Sequence, residues 1–187
     1  MATVARALTY EDLCRAREDG NRYELIEGEL VLVGAPSLWH QRLLLRLAFT
    51  CTESVTQRGL GEVLVAPLDV RFADGSIFQP DVVVVLSDRS SVLEEALIEG
   101  APSLVVEIVS PSSRAKDRGA KLRTYARHGV PEYWAVDADA RAITRHSDPI
   151  GDAYGDVMTE TTVVRAATVP GLAVDLAALF AGLSARH

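Results

Sequence analysis

Lysine is almost absent from this sequence. Of 19 basic residues only Lys116 and Lys121 are lysines, and arginine supplies the rest. A chain that fills its generic cationic positions with arginine keeps lysine for places where a compact ammonium with an adjustable pKa is wanted. Cysteine is equally scarce. Cys14 and Cys51 form no CxxC pair and no Cys/His cluster, so neither a structural zinc site nor a disulfide framework is suggested. Both are expected to be small core residues in a reducing compartment. Positive charge is in deficit, with a formal net charge of −7, which argues against a protein that coats nucleic acid along a basic stripe. A local basic groove is still allowed. No apolar run approaches the ~20 residues that span a bilayer. The N-terminal "MATVARALTYEDL" has no apolar signal region, so a cytoplasmic protein without membrane contact is expected. Internal repeats and low-complexity tracts are missing as well.

What remains is an ordinary globular composition. The 187 residues, 48% of them hydrophobic, suit one domain with a sizeable core. Thr9 and Asp12 have capping-box spacing ahead of a short helix that Gly20 stops. "RYELIEGELVLVG" alternates and turns at Glu27-Gly28, the pattern of a β-hairpin. A long helix follows from a Ser37 cap to Gly59. Strand-like runs come next in "EVLVAP", "LDVRF" and "FQPDVVVVLS", and "SVLEEALIEG" reads as a short helix. "SLVVEIVS" is a strand ended by Pro111; Ser112 or Ser113 caps the next helix, which Gly129 and Pro131 terminate. "EYWAVD" and "RAITRH" form a second hairpin, and an edge strand and a closing helix complete the chain. The fold class is therefore mixed α/β, a central mixed sheet flanked by helices.

Two acids interrupt apolar strands. Asp81 follows Pro80 at the mouth of "VVVV", and Glu107 sits in the middle of "LVVEIV". Pro80 marks a strand start or edge, because it cannot donate to a sheet ladder. A carboxylate buried in a strand must be paired, protonated or bound to a cation. If the two strands are neighbours, both acids face one pocket, and their oxygen ligands suit Mg²⁺ or Mn²⁺. Lys121 lies on the helix after the Glu107 strand, on a side shared with Asp117, Tyr125 and His128. Each of these residues has a plainer reading alone. Asp81 can cap its own turn, Glu107 can pair with Arg114 or Arg123, and Lys121 can form an i,i+4 pair with Asp117 on a solvated face. Glu24 can make a cross-strand pair and His40 can face solvent.

The stretch "QPDVVVVL … LVVEIVSPSSRAKDRGAKLRTYARHGVPEYWAVD", with "YELIEGEL" and the helix carrying His40, resembles the Uma-type restriction endonuclease family. These are small bacterial proteins of the PD-(D/E)XK nuclease superfamily. The resemblance runs from about Tyr23 to about His146. It implies a restriction-endonuclease-like core over about residues 22–146, with the strand and helix of 156–183 as a peripheral extension of a single domain, 1–187. Pro80-Asp81 matches the PD, and Glu107 matches the (D/E). Asp81 and Glu107 would then be metal ligands, with the Val109 backbone carbonyl as a further candidate. The pattern's lysine is due two residues after the acid, where this chain has Val109. The resembling family takes it from the next helix, where Lys121 stands. Asp81, Glu107 and Lys121 are thus the implied catalytic residues, with Glu24, His40, Ser112 and Ser113 as auxiliaries. The implied activity is Mg²⁺- or Mn²⁺-dependent phosphodiester hydrolysis, of DNA in the first instance; a homodimer would suit that use, because cutting both strands of a duplex is simplest with two sites. Two other classes compete. One is a non-catalytic nucleic-acid-binding or dimerising module on the same fold. The other is a glycosidase working through two carboxylates, which leaves the lysine unexplained and lacks a sugar platform in a chain with 6% aromatics.

Overall fold

The computed structural model describes residues 6–109 and 117–183. Local signals account for much of it. Thr9 and Asp12 close a reciprocal capping box on helix α1 (Tyr10–Ala16). Strands β1 (Arg22–Ile26) and β2 (Glu29–Val33) pair antiparallel across Glu27 and Gly28, whose φ values of 50° and 83° make the tight turn a hairpin needs. Ser37 caps helix α2 (Leu38–Ser54), which turns Leu43, Leu44, Leu47 and Cys51 into the core. Cys14, in contrast, is exposed, so only one of the two cysteines is a core residue.

The remaining strands are β3 (Gly61–Val65), β4 (Val70–Arg71), β5 (Ile77–Phe78), β6 (Val82–Leu86), β7 (Ile98–Glu99), β8 (Leu104–Val109), β9 (Glu132–Asp137), β10 (Ala142–Ile150), β11 (Ala153–Glu160), β12 (Val163–Arg165) and β13 (Ala173–Asp175). A six-stranded sheet has the order β11-β10-β9-β8-β6-β3, a five-stranded sheet β2-β1-β5-β4-β7, and β12-β13 form a ribbon. Within the six-stranded sheet β8 and β9 run parallel. Their crossover includes a π turn (Asp117–Lys121) and helix α3 (Leu122–Arg127). Helix α4 (Leu176–Leu179) closes the chain on an Asp175 cap. Among the described residues no helix is long and apolar enough to cross a membrane.

Both faces of the six-stranded sheet are covered, which is why β6 and β8 are nearly continuous apolar runs. On one face Val82, Val84, Val106 and Ile108 pack with α2 and with Val164, Leu172, Leu176 and Leu179 from the C-terminal part. On the other, Val83, Val85, Val105 and Val109 pack with Tyr125, Ala126 and Val130, and with Val70, Phe72 and Phe78 of the second sheet.

Two expectations change. "FQPDVVVVL" is not one strand: β5 belongs to the five-stranded sheet and β6 to the six-stranded one. The break falls at Gln79-Pro80-Asp81, where proline has no N–H for a ladder. "SVLEEALIEG" is not a helix either. Ser87–Val92 forms a 3₁₀ turn, and β7 pairs parallel with β4, burying Ile98. Tertiary pairing overrides the helix preference of Leu, Glu and Ala.

One buried acid has a structural task. Glu132, fully buried, accepts from Trp134 Nε1 at 2.7 Å, Ala167 N at 2.9 Å, Thr168 N at 2.8 Å and Thr168 Oγ1 at 2.7 Å. It ties the β12–β13 loop to the sheet. Glu132→Ala strands these donors and is expected to cost about 3 kcal/mol or more in urea unfolding. A loss under about 1 kcal/mol would mean that apolar contacts alone hold the loop.

Candidate active site

The register Val82↔Val106 places Asp81, one residue beyond the β6–β8 ladder, opposite Glu107. Strand alternation puts Glu107 on the face that carries Tyr125, while Asp81, just before β6, stands at the strand end between β8 and helix α2. Asp81 Oδ2 accepts from the Ile108 amide at 2.7 Å, so the strand next door fixes its orientation. Asp81 Oδ1 lies 3.1 Å from His40 Nε2, delivered by the first turn of α2. His40 Nδ1 is buried and has no hydrogen-bond partner among the described residues.

Lys121 reaches this corner from the π turn. Its Nζ donates to Glu24 Oε1 at 2.7 Å and to Glu107 Oε1 at 3.0 Å, with Asp117 Oδ1 at 3.8 Å. Lys121 is only 5% exposed, so it is no solvated i,i+4 pair. Glu107 pairs with this lysine and not with Arg123, which binds Glu27 at 3.2 Å; Arg114 lies outside the described residues. Tyr125, one helical turn further on, donates to the same Glu107 Oε1 at 2.7 Å. Glu24, from β1 of the other sheet, also accepts the Gln79 amide at 2.8 Å. The Gln79 side chain is held in turn, donating to Asp69 at 2.9 Å and accepting from Arg22 at 3.0 Å. Arg17 closes the chain on Asp69 at 2.7 Å.

Three carboxyl groups, Glu24, Glu107 and Asp117, therefore surround one ammonium, and Asp81 is near enough to Glu107 to act on its charge. Burial works against charge on Lys121, but Glu107, Glu24 and Asp117 outweigh it and hold the lysine pKa well above its ordinary value. With these neighbours Lys121 is held in its protonated form. Glu107 shows the complementary effect. Burial pushes its pKa well above the carboxylate range; Lys121 pulls it down, while Asp117, Asp81 and Glu24 push it up again. Among the described residues the corner has more negative charge than its lysine neutralises, an excess that a proton or a cation can relieve.

The donors are hard oxygens, the class that divalent Mg²⁺ and Mn²⁺ take. Among the described residues no three His, Cys, Asp or Glu side chains form a ready metal cage. Mg²⁺ does not require one, since it is commonly held by one or two carboxylates together with waters and substrate phosphates. The charge excess and the pair of acids on adjacent strands fit such an ion.

Of the residues singled out in the sequence, Asp81, Glu107, Lys121, Glu24 and His40 come together here. Val109 is a core residue beyond Glu107 on the same sheet face. Ser112 and Ser113 lie outside the described residues. His128 is elsewhere, 3.1 Å from Asp74 and stacked on Phe72. Gln79 and the Asp69–Arg17 pair were not anticipated. The only local signal was a polar residue directly before the Pro-Asp step.

A model of the Uma2 family, described as "Putative restriction endonuclease", matches residues 8–178. The uncharacterized protein sll1609 of Synechocystis is 26% identical over 156 residues, covering 81% of this chain and 86% of its own length. The crystal structure of a putative nuclease belonging to DUF820 from Anabaena variabilis superposes with a TM-score of 0.77 at 19% identity, over 92% of this chain and 97% of that one. That likeness shows a common fold.

Proposed function

Because the chain belongs to the Uma2 family, we propose that it is a metal-dependent endonuclease that hydrolyses phosphodiester bonds, of DNA in the first instance. The observation that carries this reading is Lys121 Nζ, buried between Glu24 Oε1 and Glu107 Oε1 at 2.7 and 3.0 Å. Three separate elements converge to hold a charged group beside acids at the corner of two sheets, a place that apolar side chains of similar volume often fill at no cost to a fold.

In this reading Asp81 and Glu107 hold a Mg²⁺ or Mn²⁺ ion, with the Val109 carbonyl as a further ligand. A divalent ion in that place supplies Lewis acidity toward a phosphate oxygen and acidifies water. The chain's own residues do the rest. Lys121, kept protonated by its neighbours, donates to a phosphate oxygen and neutralises charge that develops in the transition state. Tyr125 fixes the Glu107 carboxylate, and the Ile108 amide fixes that of Asp81. Glu24 sets the position of the lysine. His40 holds the second Asp81 oxygen. Ser112 and Ser113 are proposed to meet a flanking phosphate.

The competing reading, a non-catalytic nucleic-acid-binding or dimerising module on a nuclease fold, draws on one observation: both Asp81 oxygens already have partners, Ile108 N and His40 Nε2. Incubation with plasmid DNA and with RNA, in Mg²⁺, Mn²⁺ or chelator, separates the two. The expected result is cleavage that needs the divalent ion and falls by about 10²-fold or more in Asp81→Asn. Nucleic-acid binding without cleavage under any of these ions would favour the non-catalytic module.

A further inference from the structure

Helix α2 buries one side and leaves the other bare. Leu38, Leu45 and Phe49 are 69%, 72% and 60% exposed, and their i, i+7, i+11 spacing puts them on a single stripe. Scattered exposed apolar side chains are ordinary, but an aligned stripe marks a contact surface. A cavity of about 720 Å³ runs beside it, lined by Leu45, Phe49, Thr50, Val174, Ala178 and Leu179. The stripe is bracketed by charge of opposite sign. Arg42 stands near its start and Glu53 near its end; both are exposed, and neither has an ion-pair partner among the described residues.

We infer that a second copy of this chain covers the stripe, through a two-fold antiparallel pairing of α2 helices that cross near Leu47. The charge pattern argues for this occupant. A two-fold contact must be self-complementary. About that centre, Leu45 of one copy meets Phe49 of the other, and Arg42 meets Glu53, twice over. Phe49 of each copy then lies at the cavity of the second. A parallel pairing would oppose Arg42 to Arg42 and Glu53 to Glu53. The inference stands apart from the nuclease reading, since no site residue named above takes part in it.

Sedimentation equilibrium of the full chain tests the pairing, with circular dichroism as the check on folding. The wild type is expected to dimerise. Phe49→Glu is expected to leave a folded monomer, because the side chain is exposed in the single chain. Arg42→Glu and Glu53→Arg should each raise the dimer Kd by about tenfold or more, and the double variant should restore it. A wild type that stays monomeric at every concentration would overturn the inference. So would a dimer that survives Phe49→Glu, or two charge reversals that simply add.

Discussion

Lys121→Met is expected to abolish phosphodiester cleavage and to cost about 3–5 kcal/mol of stability in metal-free protein at neutral pH. The residue is buried, and its ammonium is the counter-charge to Glu24, Glu107 and Asp117. Methionine keeps much of the volume and removes the charge, so three carboxyl groups are left desolvated and mutually repelling. They respond by binding protons. The variant should recover stability as pH falls and recover part of it when Mn²⁺ is added, since a cation replaces the missing charge. Urea unfolding at several pH values, with and without Mn²⁺, reads these effects. A loss below about 1 kcal/mol with no dependence on pH or ion would show that the ammonium is not what holds the acids together.

Glu107→Gln should behave in the opposite way. Glutamine keeps an oxygen for the Tyr125 hydroxyl and the Lys121 ammonium and has no charge to desolvate. The pKa of Glu107 is raised in the folded protein, so its contribution to stability is fully present below the unfolded value, about 4.3, and is lost as pH rises through the folded one. The metal-free variant is therefore expected to be as stable as the wild type at neutral pH, or more so, while cleavage is lost. Cation binding in the wild type runs the other way with pH. It requires the ionised acid, so affinity should fall as pH drops through the raised Glu107 pKa, well before ordinary carboxylates titrate. Thermal unfolding of the two proteins from acid to neutral pH, with and without Mn²⁺, checks both claims. A strongly destabilised Glu107→Gln would make Glu107 a structural ion-pair residue instead. Stability sacrificed for a charged site is what a functional acid is expected to show.

Some of this site was legible in the sequence for identifiable reasons. Glu107 stood out because apolar, β-branched neighbours left it nowhere to go but inside. Lys121 stood out because the chain otherwise avoids lysine, and helical spacing already set Asp117 and Tyr125 beside it. The hairpin turn at Glu27-Gly28 and the caps at Thr9 and Ser37 were local events with local signals. Glu24 was a weak candidate, because the contact with Lys121 joins residues 97 positions apart. Its place depends on β1 pairing with β5 in a separate sheet. Gln79 was hidden for the same reason: its partners Glu24, Asp69 and Arg22 meet only where the two sheets turn away from each other at Pro80. The short strand β7 was misread because its partner β4, not its own propensity, decides its conformation.

The central claim is that Glu107 stays buried because it holds a cation. Calorimetric titration of Mn²⁺ into wild type and Glu107→Gln, with circular dichroism on both, tests it most directly. The account predicts binding to the wild type that weakens as pH falls, and no binding to a folded Glu107→Gln. Equal binding in both proteins would contradict it, as would a wild type that binds no Mn²⁺ either alone or with a short oligonucleotide present.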